Sequence, residues 1–166
     1  MSQICIYVPF EEAYIREWFI HDMGGQEPVK LIRGSVESKI LEVYLTKLPE
    51  DMLPDMNVEG SVAVYIPTFR NKPPDRYNYL PKHAMNYFIN VVKERFDIEL
   101  FNDLYRFGKI TEEQKELIYA WMEKSGIDKN GTSWDTIAKR YQRQRNYYLM
   151  RLRAKKQYQR RKSKKS

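Results

Sequence analysis

Asp22, Glu37 and Lys39 stand in the order D…E-x-K, in which two carboxylates hold Mg²⁺ and a lysine orients a water for attack on a phosphodiester. That chemistry needs a strand, where residues two apart project the same way. The run VESKILEVYLTKL has helical spacing instead, which turns Glu37 and Lys39 to different sides. Asp97, Glu99 and Asp103 have the character of ordinary helix-start acids. His21 and His83 are isolated, with no second histidine or cysteine at ligand spacing, and are expected on the surface or at caps. There is no glycine-rich phosphate loop and no nucleophile elbow. The expectation is a protein without catalysis, bound metal or cofactor.

A second chemistry is written in RLRAKKQYQRRKSKKS, residues 151–166, where nine of sixteen residues are lysine or arginine and none is acidic. Residues 133–166 hold 13 bases and one acid, Asp135, for a charge of +12; the first 132 hold 16 bases and 21 acids, for −5. Such segregation points to a polyanion, because cations brought against phosphates release condensed counterions. The residues placed for this are Lys139, Arg140, Arg143, Arg145, Asn146, Tyr147, Arg151, Arg153, Lys155, Lys156, Arg160, Arg161 and Lys162. Tyr141, Tyr147, Tyr148 and Tyr158 lie among them; an exposed tyrosine can stack on an unpaired base, while core packing is expected of Tyr141 and Tyr148. The expected partner is nucleic acid, DNA before RNA, contacted end-on, with the acidic body left for protein contacts. The alternative is a structural subunit of a viral or ribonucleoprotein particle, anchored by its basic arm. A membrane partner is not expected, since the chain after Leu152 has no apolar face for insertion.

Composition sets the frame for these residues. Apolar residues at 42% and aromatics at 14% can supply a core, and a mean hydropathy of −0.71 implies a charged exterior. Cys5 is the one cysteine, expected as a buried, inert thiol. The first residues lack a basic segment before their short apolar run, and nowhere do about 18 apolar residues run together. A cytoplasmic, nucleoid, nuclear or virion-associated place is therefore expected, and secretion is not.

The elements alternate through the first hundred residues. Strands are expected at 3–9, 28–32 and 61–67, and helices at 11–23 and 36–48, the latter capped by Ser35 and striped by Val36, Ile40, Leu41, Tyr44, Leu45 and Leu48. This implies an α+β fold with a small three-stranded sheet covered by helices. The proline-rich loop 68–81 is expected to pack by its own three aromatics. Residues 82–107 read as one bent helix or two, with Phe88, Val91, Val92, Phe96, Leu100, Leu104 and Phe107 buried. The expected organisation is an acidic body over 1–108, a helical module over 109–156 and a basic tail over 157–166.

ITEEQKELIYAWMEKSG carries a capping box at Thr111 and Gln114 and a stop at Gly126. A further helix starts beside Ser133 or Thr132 and buries Trp134, Ile137, Ala138 and Tyr141. Two continuations are open. The chain breaks near Gln142–Gln144 and begins a third helix at Arg145 or Asn146; or one basic helix runs on, since Trp134, Ala138, Tyr141, Arg145, Tyr148 and Leu152 keep a 4, 3, 4, 3, 4 spacing and no Gly or Pro occurs from 132 to 166. With the break, residues 111–156 resemble a trihelical helix-turn-helix of the Myb or SANT kind, through W-x-x-I-A at Trp134–Ala138 and the arginine-rich stretch after it. That resemblance implies a last helix in the DNA major groove, with Arg145, Asn146, Tyr147, Arg151 and Arg153 on or beside it.

Overall fold

A computed structural model describes residues 4–166; Gln3, the first residue of the expected opening strand, lies outside them. The order is β1 (Cys5–Pro9), α1 (Ala13–Asp22), α2 (Val36–Tyr44), β2 (Ser61–Tyr65), α3 (Lys82–Leu104), α4 (Lys115–Lys124) and α5 (Trp134–Ser163). Single 3₁₀ turns at Tyr105–Phe107 and Glu112–Gln114 end α3 and lead into α4. The α+β class follows.

Among the described residues the sheet has two strands rather than the expected three. β1 and β2 are antiparallel, with Ile6 opposite Val64 and Val8 opposite Val62, all four buried. The run 28–32 reaches β2 only at Val29, whose N–H donates to the Ala63 carbonyl (2.7 Å) and whose carbonyl accepts from Tyr65 (2.9 Å). Before Val29, the Ala63 N–H donates to the Glu27 side chain at 3.1 Å instead of to a backbone carbonyl, and Pro28 has no N–H to offer. A side chain and an imino acid thus stop the third ladder after one residue.

Helix α2 is shorter than its stripe suggested. Ser35 caps its start, accepting from the Ser38 N–H at 3.2 Å. At its end the Lys72 ammonium donates to the carbonyls of Val43 (3.0 Å) and Leu45 (2.9 Å), and Thr46 pairs with Tyr79 through two backbone hydrogen bonds. Loop 68–81 therefore terminates the helix. Phe69 and Tyr77 of that loop pack on the core and Leu80 enters it, as its aromatic content predicts.

Helix α3 is the centre of the molecule. Ala84, Phe88, Val92, Phe96, Leu100 and Leu104 repeat every four residues and are all buried, so one stripe spans the helix while Phe107, beyond it, is exposed. Phe96 meets Trp18 of α1 and Trp121 of α4 edge-on, each at 5.4 Å between ring centres, the geometry that aromatic quadrupoles favour. A single apolar cluster unites β1, β2 and α1–α3 with Ile118, Trp121 and Met122 of α4 and Ile137 and Tyr141 of α5. It crosses residue 108 without a seam.

The capping box at Thr111 and Gln114 is present. Gly126, at φ +74°, ends α4 and lies close against the His21 side chain, so that a Cβ there would stand 2.7 Å from its Cβ and Cγ. Helix α5 then runs for 30 residues without interruption. No turn forms at Gln142–Gln144, so no separate recognition helix begins at Arg145 or Asn146. The reason lies in the continuous stripe: Trp134, Ala138, Arg145, Tyr148 and Leu152 are half-buried and Tyr141 fully so, and nothing between them breaks a helix. Among the described residues no helix is long and apolar enough to cross a membrane.

Candidate nucleic-acid interface

Helix α5 has an anchored half and a free half. In the anchored half, Tyr141 donates its buried hydroxyl to the carbonyls of Gly108 (2.6 Å) and Leu104 (3.2 Å), groups left unpaired where α3 ends. Burial pushes this phenol's pKa up. Tyr148 stands edge-on to Tyr105 at 5.0 Å and tilted against Phe101 at 5.2 Å. From Arg153 onward every residue is exposed, and the remaining 11 helical residues, about 16 Å at 1.5 Å each, project from the body.

The residues selected for phosphate contact separate accordingly. Arg140 leaves the set: its guanidinium forks onto Asp97 of α3 (Nη2 to Oδ2, 3.1 Å), donates to the Tyr14 hydroxyl (3.3 Å) and lies over Phe96. With 13% of its side chain exposed it holds α5 to the body. Sequence alone reads an arginine beside Lys139 as part of the basic run, because its acid lies 43 residues away. Lys139 pairs with Asp135 one turn back at 2.7 Å, but both are solvated and such a pair costs little to release. Asn146 is exposed, its carbonyl oxygen accepting from Gln142 at 2.9 Å. Arg145 is half-buried on the anchored stripe.

Arg143, Tyr147, Arg151, Arg153, Lys155, Lys156, Arg160, Arg161 and Lys162 are exposed. Among the described residues none of their cations is in an ion pair. At about 100° per residue the bases from Arg153 on wind round the free half instead of lining one edge. Such a rod presents cations on several sides and no single aligned row of them.

The carboxylates of Asp22 and Glu37 do converge, and the cation between them is Arg95. Its Nη1 lies 2.8 Å from Asp22 and its Nε 2.5 Å from Glu37. Glu37 is 1% exposed, while Lys39, two residues on, faces solvent. A guanidinium thus occupies the place a metal would need. Among the described residues no group of three or more His, Cys, Asp or Glu is placed to hold a metal ion. This buried pairing was missed by sequence reasoning, yet a signal existed: Glu37 falls three and four residues before Ile40 and Leu41, on the stripe that faces the core.

Glu99 completes the cluster, accepting from the Trp18 indole at 3.1 Å. Burial, and then the charge of Asp22, raise its pKa above the ordinary glutamate value. The folded chain therefore holds this proton more tightly than the unfolded chain. Below the ordinary value both states are protonated and Glu99 is neutral to stability; above the raised value its charge is a cost. Glu99→Gln is expected to raise the urea midpoint near pH 7, with the gain vanishing as pH falls below about 4. A midpoint that does not move at neutral pH contradicts this.

A surface hollow of about 320 Å³ lies elsewhere, lined by Tyr7, Met56, Val58, Leu80 and Met85, with no residue of α5. Cys5 is half-buried, and burial raises its thiol pKa, so little thiolate forms. Comparison with family models, with curated proteins and with solved structures finds no match.

Proposed function

We propose that this protein binds nucleic acid through the projecting half of α5 and the residues after it, as a non-catalytic accessory factor. One observation carries the reading: residues 153–166 hold eight lysines and arginines, no carboxylate and no buried side chain. A helix end so charged gains nothing from the fold and repels itself in isolation. Phosphates relieve that repulsion and release their counterions. The body, at −5 over residues 1–132, is repelled by the same phosphates, which leaves the rod to make the contact. Its bases, set on all sides, favour affinity that is indifferent to sequence.

The experiment is a salt titration of binding to B-DNA. Replacing Arg160, Arg161, Lys162, Lys164 and Lys165 with Gln should flatten the slope of log affinity against log salt by about 2 to 4 units, given ~0.9 unit per phosphate contact. An unchanged slope, or affinity that salt does not touch, moves the basic arm to the second role the sequence allows, a protein anchor in a larger assembly.

A further inference from the structure

We infer that the outward face of α5 takes an unpaired strand, with Tyr147 and Tyr158 stacking on its bases and Arg151, Arg161 and Lys162 on its phosphates. This rests on the reading of α5 as a nucleic-acid contact and names which form of nucleic acid it suits.

The four tyrosines of α5 divide cleanly. Tyr141 and Tyr148 are used by the fold, as described above. Tyr147 and Tyr158 are 62% and 67% exposed. They stand 11 residues apart, three helical turns within about 20°, so both rings leave the same side of the helix roughly 16 Å apart. That side lies about 120° round the helix from the stripe of buried and half-buried residues Tyr141, Arg145, Tyr148 and Leu152. Between the rings the same face carries Met150, 64% exposed, Arg151 and Ala154, whose methyl leaves room for a base. Arg161 and Lys162 continue the face beyond Tyr158.

Two exposed phenols on so charged a helix do nothing for folding. A duplex would not use them either, because its bases hide their π faces in the stack. A single strand presents those faces together with its phosphates, the combination that aromatic side chains on a basic track recognise. A guanidinium such as Arg151 adds attraction to the same bases. An acidic protein would use the cations and leave the tyrosines idle.

The test uses the full chain and three probes: an oligothymidine of about 20 nucleotides, a duplex of the same length and inorganic polyphosphate, which carries the charge without bases. Replacing Tyr147 and Tyr158 with Leu keeps the helix and removes the ring faces. Affinity for oligothymidine is expected to fall at least about tenfold, with duplex and polyphosphate unchanged and Phe at both positions restoring binding. An oligouridine arm tells whether the strand is RNA or DNA. Oligothymidine affinity that is unchanged, or lost equally on all three probes, overturns the stacking inference while the basic rod stands. Failure of the unaltered protein to bind any of the three overturns both.

Discussion

A chain ending after Leu152 should melt at the temperature of the full protein and hold nucleic acid far more weakly. Every residue from Arg153 on is exposed, and the hydrogen bonds made there stay within the helix and its last turn, so their loss takes no support from the core. The same cut removes eight cations. At ~0.9 unit per phosphate contact, the salt dependence of log affinity should drop by about 4 to 7 units if most of them engage. Calorimetric melting and fluorescence anisotropy across a salt series check the two halves separately. A lower melting temperature would mean that the projecting half supports the body after all. Retained affinity would mean that the contact lies elsewhere.

The opposite result is expected when the chain ends after Gly108. That cut takes Ile118, Trp121, Met122, Ile127, Ile137 and Tyr141 out of the core and opens Phe96, Leu100 and Leu104 to water. Burying a large apolar side chain is worth about 1.5 to 3 kcal/mol, so uncovering these three takes up to roughly 5 to 9 kcal/mol from the fragment, against a total stability of about 5 to 15 kcal/mol for a domain. Residues 1–108 alone should therefore be unfolded or aggregated, with no cooperative melt by circular dichroism. A sharp melt would restore the acidic body as an independent unit. Arg140→Met makes the same point by one residue: stranding the partly buried carboxylate of Asp97 should cost about 3 to 5 kcal/mol, yet leave the salt slope of binding as it was, because this arginine faces α3 and not solvent.

What the sequence determined by itself are the features that need no distant partner. The capping box at Thr111 and Gln114, the stop at Gly126, the repeat of four from Ala84 to Leu104 and the strand at Ser61–Tyr65 are local in cause. A cap, a period or a positive φ acts within a few residues of itself. The segregation of charge toward residues 133–166 is likewise plain in the chain, and with it most of the candidate contact residues. Tertiary structure decided the rest. It joined Arg140 to Asp97 across 43 residues and Arg95 to Asp22 across 73, turning one expected phosphate ligand into an internal ion pair and bringing the two carboxylates of the D…E-x-K order onto one arginine. It let Glu27 take the hydrogen bond that a third strand would have made. It also resolved residues 134–163 into one helix, whose Trp134, Ile137, Ala138 and Tyr141 join the core and whose Tyr148 packs on Phe101 and Tyr105. A cation or a tyrosine looks the same in sequence whether it faces solvent or a partner; only packing brings the two groups within 3 Å, and there the dielectric and the competing contacts settle its role.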